Sequence, residues 1–280
     1  AMVLPRRAAQ VVCGHRFTAV LTTRMEVYVC GREEITGYNT LEGPPRLAEQ
    51  NSALQGLPIV YMAAGEQHVV VLTAQGTAYA WGANPTGACG REFPKLLSVP
   101  VPIQVPQSSM EQPRQPNGRL PPTPFSNWAA WEIGSPNIIT LAEDVAITDA
   151  ACGKDFTILV TKTGRLLVAG SNHQQQLGIM EATQPSIVPV QCIDHPHHNQ
   201  GASFVSAEAG TYHTVLLDNQ GNVWTMGNGN PLSLVLEGQS IATIAAGGSV
   251  TIAIASKGES AQKQTSSVVT PGLEGLLDGI

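Results

Sequence analysis

The sequence has few charged residues, few aromatic residues and no long apolar run. Of its 280 residues, 13% are Asp, Glu, Lys or Arg and 5% are Phe, Trp or Tyr, whereas 42% are hydrophobic. The 15 Lys and Arg residues are outnumbered by 21 Asp and Glu, giving a formal net charge of −6, which argues against direct nucleic-acid binding. No run reaches the roughly 18 apolar residues of a membrane-spanning helix, so no membrane span is predicted.

Motifs for catalysis and cofactor binding are also missing. We find no Ser-His-Asp set, no phosphate-binding glycine loop and no paired carboxylates at a suitable spacing, so the sequence predicts no catalytic residue and no cofactor. The five cysteines are odd in number and show no paired spacing. This is typical of reduced thiols in an intracellular protein, in the cytoplasm or the nucleus.

The sequence does contain a repeat, which can be counted from five anchor glycines. The anchors are Gly14, Gly65, Gly153, Gly210 and Gly247. Position +3 from the anchor is aromatic, His or Val, positions +5 to +7 are apolar, and position +11 is glycine in four copies. These turn glycines are Gly76, Gly164, Gly221 and Gly258. An apolar strand, a turn glycine and a second apolar strand predict a β-hairpin.

Two positions of the repeat carry specific predictions. The turn glycines are expected in left-handed conformations, and Met25, which replaces the glycine in the first copy, predicts a different first turn. His68 and His213 occupy position +3, where two other copies have Phe17 and Phe156. Because apolar side chains replace these histidines, a packed structural role is predicted for them instead of catalysis.

These residues resemble the regulator of chromosome condensation repeat. The resemblance is carried by Cys-Gly or Ala-Gly at the anchor, a strand ending in Leu-Thr, a turn glycine, and the segments AWGANPTGACG at 80–90 and VAGSNHQQQLG at 168–178. It implies an all-β fold, a β-propeller with about five recognisable repeats in a small, incomplete or partner-completed ring. A single domain over residues 1–280 is expected, with an irregular tail at about 259–280.

A proline-rich insertion is predicted at about residues 100–137. Nine of the 20 prolines lie between Pro100 and Pro136, and proline is unsuited to strand pairing, so an external loop is expected. Its aromatic side chains either cover a blade edge or form a partner-binding lobe. The candidate partner-binding residues of the insertion are Phe125, Trp128, Trp131, Arg114 and Arg119.

A histidine-rich segment, IDHPHHNQ at 193–200, raises a metal hypothesis. Its possible ligands are Asp194, His195, His197 and His198. No second ligand cluster with suitable spacing accompanies them, so a solvated loop interrupted by proline is the simpler interpretation, and no metal is predicted.

The expected architecture leaves the two ends of the array open to alternatives. If the first half of each copy joins the second half of the preceding copy, the five anchors give four complete blades. Either both termini close a fifth blade, with residues 267–270 as a strand, or the array stays open and another chain completes it.

Two functions are compatible with these features. The first is a non-catalytic interaction scaffold or regulatory subunit that binds other proteins, such as subunits of a larger complex. The second, implied by the resemblance, is guanine-nucleotide exchange on a small GTPase of the Ran, Rho or Rab type, for which no exchange residue can be assigned here. Such a protein is a regulator that needs no conventional catalytic set.

Overall fold

The computed structural model describes residues 6–31, 46–47, 53–91, 94–103, 146–179, 191–256 and 268–269. Within these ranges the regular secondary structure is β-strand, apart from one short 3-10 helix, His198–Gln200. No helix of the described part is long and apolar enough to cross a membrane.

The strands of the described residues form five antiparallel sheets, and the strands of each sheet follow one another along the chain. The first sheet contains β1 (Ala8–Gly14), β2 (Phe17–Thr22), β3 (Val27–Gly31) and β4 (Arg46–Leu47). The second contains β5 (Ile59–Ala64), β6 (His68–Thr73), β7 (Ala78–Ala83) and β8 (Leu96–Pro102). The third contains β9 (Ile147–Cys152), β10 (Phe156–Thr161), β11 (Leu166–Gly170) and β12 (Gln191–Ile193). The fourth contains β13 (Phe204–Ala209), β14 (His213–Asp218), β15 (Val223–Gly227) and β16 (Asn230–Leu236). The fifth contains β17 (Ile241–Gly247), β18 (Val250–Ala255) and β19 (Val268–Val269).

Each blade is therefore built around one anchor glycine, and the predicted exchange of halves between copies is wrong. The inner strand that runs up to the anchor pairs with the strand that follows it, as in the register Gly14 with Phe17. A two-residue loop can join only antiparallel neighbours, so both belong to one sheet. Of the two alternatives for the ends of the array, the described residues do not form a blade shared by both termini, because β1 lies in the first sheet and β19 in the fifth. A strand at 267–270 is present as β19, which pairs with β18.

Neighbouring blades contact each other through their inner strands, in the chain order β1, β5, β9, β13 and β17. At the anchors the backbones nearly touch: a Cβ added to Gly14 would lie 2.5 Å from the Gly65 carbonyl oxygen, and one on Gly210 would lie 2.6 Å from that of Gly248. Only glycine fits such an approach, which explains the glycine at these anchors, whereas a Cβ added to Gly247 in the fifth copy would meet no atom within 4 Å.

The core consists of the layers between successive blades. Positions +3, +5 and +7 of one blade pack against positions −3, +4 and +6 of the next, for example Ile158 in a cluster with Leu216 and Val215 in a cluster with Ala253. Strands β6, β10 and β14 are buried along their whole length because they have a blade on each side. Successive side chains point to opposite faces of the sheet, and both faces are buried. The sequences of these strands are therefore continuous apolar runs.

The proline-rich insertion begins later than predicted. Strand β8 includes Pro100 and Pro102, and Pro102 pairs with Tyr79 of β7. Because β8 is the outermost strand of its sheet, a proline there removes no bond to a further strand. The remainder of the insertion, from residue 104 to 145, lies outside the described residues.

The hairpin turns follow the predicted conformation at three glycines. Gly76, Gly164 and Gly221 have φ values of +79°, +75° and +80°, whereas Gly258 lies outside the described residues. The prediction of a different first turn is wrong, because Met25 has a φ of +64°. The Met25 N–H donates to the Thr22 carbonyl oxygen at 2.9 Å, the same bond that the turn glycines make. Turn closure thus imposes the left-handed conformation on a non-glycine residue.

We expect Met25→Gly to raise the free energy of unfolding by about 0.5–1 kcal/mol. Glycine relieves the steric cost of the positive φ, partly offset by its greater freedom in the unfolded chain. The side chain of Met25 is exposed, so little packing is lost. Thermal and denaturant unfolding would measure the effect. The control is Met25→Ala, which keeps the strain, and equal stabilities of the Gly and Ala variants would contradict the prediction.

Candidate partner-binding surface

One end of the blade array is formed by the two-residue loops that follow the anchors. Backbone hydrogen bonds join successive loops: the His15 N–H donates to the Glu66 carbonyl oxygen at 2.7 Å, and the Thr211 N–H donates to that of Gly248 at 2.7 Å. The loop carbonyls at +2 also accept bonds from the third strands, as Asp155 does from the Ser171 N–H at 2.8 Å. These bonds hold the loops in fixed positions.

Polar and aromatic side chains from three blades meet on these loops. We call this set the loop surface, and it consists of Glu66, Lys154, Asp155, His173 and Tyr212. Lys154 Nζ donates to the Tyr212 hydroxyl at 3.4 Å and lies 5.7 Å from the centre of its ring. The same Nζ is 3.6 Å from Glu66 Oε2. His173 packs edge-on against Tyr212, with ring centres 5.8 Å apart.

The electrostatics of the loop surface favour a fixed positive charge between two acids. Donation to the Tyr212 hydroxyl and the nearby Glu66 carboxylate raise the pKa of Lys154 above its ordinary value. Burial raises the pKa of Asp155, although Lys154 opposes this shift. The charges of Lys154 and Glu66 are accessible to a partner, because each of these side chains keeps about a third of its surface in solvent.

Two longer loops beside this surface are held by buried asparagines at +19. Asn84 Oδ1 accepts the Cys89 N–H at 2.9 Å, and its Nδ2 donates to the Arg91 carbonyl oxygen. Asn172 accepts the Leu177 N–H at 2.9 Å in the same way. These asparagines, which carry the sequence resemblance, are therefore scaffold residues that support the loops.

The structure places His68 and His213 inside the interfaces between blades. The Thr157 hydroxyl donates to the Ala88 carbonyl oxygen at 2.7 Å, so its oxygen must accept the 2.9 Å bond from His68 Nε2. His213 Nε2 lies 3.0 Å from the Thr251 hydroxyl of the fifth blade. Both histidines are buried, so each links its blade to the next.

The histidine-rich segment is only partly a solvated loop, and His195 is the exception. Its ring is buried against Phe204 and Trp224. His195 Nδ1 accepts the His197 N–H at 3.0 Å, while Nε2 faces the Asp218 carboxylate at 3.5 Å. Burial lowers the pKa of His195, which favours the neutral form of the ring, although the nearby Asp218 opposes this shift.

Asp218 serves the adjoining hairpin turn. Burial would raise its pKa, but hydrogen bonds from Trp224 Nε1 and from Asn222 lower it below the ordinary value. Asp194 is paired with Arg165 instead of turning toward the histidines. Among the described residues no group of three or more His, Cys, Asp or Glu side chains could hold a metal ion.

The sequence did not reveal the loop surface, because its members differ from copy to copy and share no motif. Only their position, one or two residues after an anchor, marks Glu66, Lys154, Asp155 and Tyr212. The insertion residues proposed for partner binding fall outside the described part of the chain, so nothing is added to their prediction. These are Phe125, Trp128, Trp131, Arg114 and Arg119.

Comparison with known proteins identifies the repeat. The family model described as "Regulator of chromosome condensation (RCC1) repeat" matches residues 59–90 and 147–176. Human Regulator of chromosome condensation is 26% identical over 232 residues, which cover 80% of this chain and 48% of the relative. The mouse Secretion-regulating guanine nucleotide exchange factor is 25% identical over 220 residues, covering 78% of this chain and 40% of the relative.

A solved structure shows the same fold. The crystal structure of Prp20p from Saccharomyces cerevisiae, described with its binding properties to Gsp1p and histones, matches with a TM-score of 0.64 and 17% identity, over 89% of this chain and 56% of that chain. The β-propeller fold predicted from the repeat is thereby confirmed. The chain spans half or less of the length of the two curated relatives, 48% and 40%.

Proposed function

We propose that this chain, which contains matches to the regulator of chromosome condensation repeat, acts as a non-catalytic protein-interaction scaffold or regulatory subunit. The observation that carries this proposal is the loop surface. Four of its side chains extend from anchor loops whose backbone is held by hydrogen bonds, between blades at Glu66 and Lys154 and within a blade at Asp155 and Tyr212. Rigid loops that carry accessible charged and aromatic side chains are suited to binding a partner, because little conformational entropy is lost on association.

The composition of the loop surface defines the partner it fits. Tyr212 offers a flat ring with a polar edge, a type of side chain that is enriched where binding energy concentrates. Lys154 stands beside it between Glu66 and Asp155. A protein with a complementary basic group next to an acidic or aromatic one would satisfy this pattern of charges.

The insertion is the second element of the proposed scaffold. We propose that Phe125, Trp128 and Trp131, with the flanking Arg114 and Arg119, form an aromatic and basic lobe that contacts the same partner or another one. We also propose an intracellular location, in the cytoplasm or nucleus. The free state of all five cysteines supports it, since oxidising compartments favour disulfides.

Nucleotide exchange on a small GTPase of the Ran, Rho or Rab type is the second candidate function. The specific observation that favours it is the pair of acidic side chains, Glu66 and Asp155, beside the Lys154 ammonium on an exposed rigid surface. An acidic side chain can compete with nucleotide phosphate for the cation and lysine of a GTPase. The relative named as an exchange factor supports testing this activity.

Both functions can be tested with one set of variants of the full chain. We expect Lys154→Glu and Tyr212→Ala to reduce the recovery of bound proteins from the native source by about tenfold or more. Lys162→Glu, in the turn at the opposite end of β10, is the matched control and should retain them. Equal recovery with all three variants would exclude the loop surface as the binding site.

The exchange function has a separate readout in the same proteins. The wild-type chain should accelerate the release of a fluorescent guanine nucleotide from one or more of a panel of Ran-, Rho- and Rab-type GTPases. The Glu66→Ala and Asp155→Ala variants should accelerate it less than the wild type does. If the wild-type chain accelerates release from none of them, the exchange function is rejected while the scaffold function stands on the binding result.

A further inference from the structure

The loop that follows β11 contains a strained residue, Gln175. Its φ is +60°, in the left-handed region that residues with a Cβ seldom adopt. The equivalent position of the second blade, also +22 from the anchor, is Gly87, with a φ of +83°. The two loops close with the same backbone bonds: the N–H at +22 donates to the carbonyl oxygen at +19, and the carbonyl oxygen at +22 accepts the N–H at +25. Glycine therefore satisfies this position without strain.

The side chain of Gln175 does not offset this strain within the part of the protein that the structure describes. Its neighbours hold the loop, since Gln176 Oε1 accepts the Gln174 N–H and the Gln176 carbonyl oxygen accepts the Thr214 hydroxyl, both at 2.8 Å. The Gln175 side chain is half-buried, and its amide makes no hydrogen bond to a described residue. Both amide atoms are in contact with solvent, because neither is a buried polar atom without a partner. Strained residues of this kind concentrate at binding sites.

Gln175 lies at the edge of the loop surface. The backbone segment 228–229 connects the two, because its N–H groups donate to the carbonyl oxygens of Tyr212 and Gln174 at 3.0 Å and 2.9 Å. His173, two residues before Gln175, packs edge-on against the Tyr212 ring. A partner that contacts Tyr212 therefore has the Gln175 amide within reach.

We propose that Gln175 is a specificity-determining residue of the loop surface, and that its amide hydrogen-bonds the backbone N–H and C=O of a residue in the partner protein. This inference rests on the loop surface being the partner-binding site proposed above. The side-chain amide carries an acceptor oxygen and an NH2 donor, which complement the N–H and C=O of a main chain. The amide is also neutral, whereas Lys154, Glu66 and Asp155 are ionisable, so charged groups of the partner face those side chains and its main chain faces Gln175.

Affinity measurements on the full chain test the role of the amide. The probe is the protein that the wild-type chain recovers most strongly from its native source, purified and titrated against each variant. We expect Gln175→Met, which keeps the length and the strain but lacks the amide, to weaken binding about five- to tenfold. Gln175→Glu keeps an acceptor and loses the donor, so a similar loss is expected. Tighter binding by Gln175→Glu would overturn the inference, since it would mean that the partner offers a cation.

The variant Gln175→Gly separates binding from stability. It removes both the strain and the amide, so the melting temperature should rise by about 1–4 °C while the affinity falls. The matched control is Met25→Gly, which relieves the same strain in a turn at the opposite end of the array and should raise the melting temperature without changing the affinity. A Gln175→Gly protein no more stable than the wild type would overturn the inference, because Gln175 would then be unstrained.

The variants of the proposed binding site distinguish failure of this inference from failure of the proposed function. Full binding by Gln175→Met and Gln175→Gly, with binding lost in Lys154→Glu and Tyr212→Ala, would overturn the role of Gln175 and leave the loop surface as the binding site. If the wild type recovers no protein, or if Lys154→Glu and Tyr212→Ala also bind normally, the proposed surface and the role of Gln175 fail together.

Discussion

Gly170→Ala is expected to lower the free energy of unfolding by about 3 kcal/mol or more. Gly170 ends β11 with a φ of +107°, well beyond the left-handed helical region that other residues occasionally adopt. An added Cβ would lie 2.5 Å from the Asp155 carbonyl oxygen and 2.7 Å from the Phe156 Cα. Both are backbone atoms, one in the anchor loop and one at the start of the paired strand β10, so a side-chain rotation cannot relieve the contact. Strain and overpacking therefore act together.

Gly201→Ala is the matched control for this substitution. Gly201 also has a positive φ, +78°, but a Cβ there would meet no atom within 4 Å. We expect it to cost only about 1–2 kcal/mol, the penalty of the left-handed conformation alone. Denaturant unfolding of both variants measures the difference, and equal losses would show that the close backbone approach at Gly170 is not tight.

The repeat columns allowed much of this fold to be predicted from sequence. A buried strand with a blade on each side requires apolar residues at successive positions, so the columns +5 to +7 identified β6, β10 and β14 without any structural information. The turn glycines Gly76, Gly164 and Gly221 were readable for a similar reason, since a positive φ narrows the choice of residue. Periodicity is visible when the physical constraint recurs in every copy.

Features set by a single contact could not be predicted. Met25 adopts the left-handed conformation because the hairpin has to close. The sequence pattern assigned this conformation to glycine alone and therefore did not predict it for methionine. Burial of His195 depends on Phe204 and Trp224, which lie 9 and 29 residues away. The composition of each blade was missed because the repeat was counted from the anchor glycine. The inner strand ends at this glycine, so counting from it assigned the inner strand to the preceding copy and not to the sheet that it begins.

The loop surface was also beyond sequence analysis, for a different reason. Its side chains come from three blades and meet only because the anchor loops lie side by side at one end of the inner strands. Lys154 and Tyr212 are 58 residues apart, and Glu66 is 88 residues from Lys154. Periodicity predicts where the loops are, whereas the chemistry that they carry varies from copy to copy.

The buried histidine His68 makes the free energy of unfolding depend on pH, and this contribution can be separated from that of other groups. Burial lowers the pKa of His68 from its ordinary value of 6.5 to about 4. Below pH 6.5 the unfolded chain binds a proton at this site that the folded protein does not bind, so stability falls as the pH decreases, until the folded site is protonated near pH 4. Glu208 acts in the opposite direction, because burial and the neighbouring Asp149 raise its pKa to about 7.

The difference in stability between the wild type and His68→Phe isolates the effect of His68 on the pH dependence. Glu208 and the other histidines are present in both proteins, so their contributions cancel. Phenylalanine occupies the same position in the first and third blades as Phe17 and Phe156, so the fold accommodates it. Between pH 7 and pH 5 we expect the wild type to lose about 2 kcal/mol of stability relative to this variant. Thr157→Val, which removes the hydrogen-bond acceptor of His68 but keeps the ring, should retain the wild-type pH dependence. Urea unfolding at several pH values measures all three proteins, and parallel curves for the wild type and His68→Phe would show that His68 keeps an ordinary pKa within the interface.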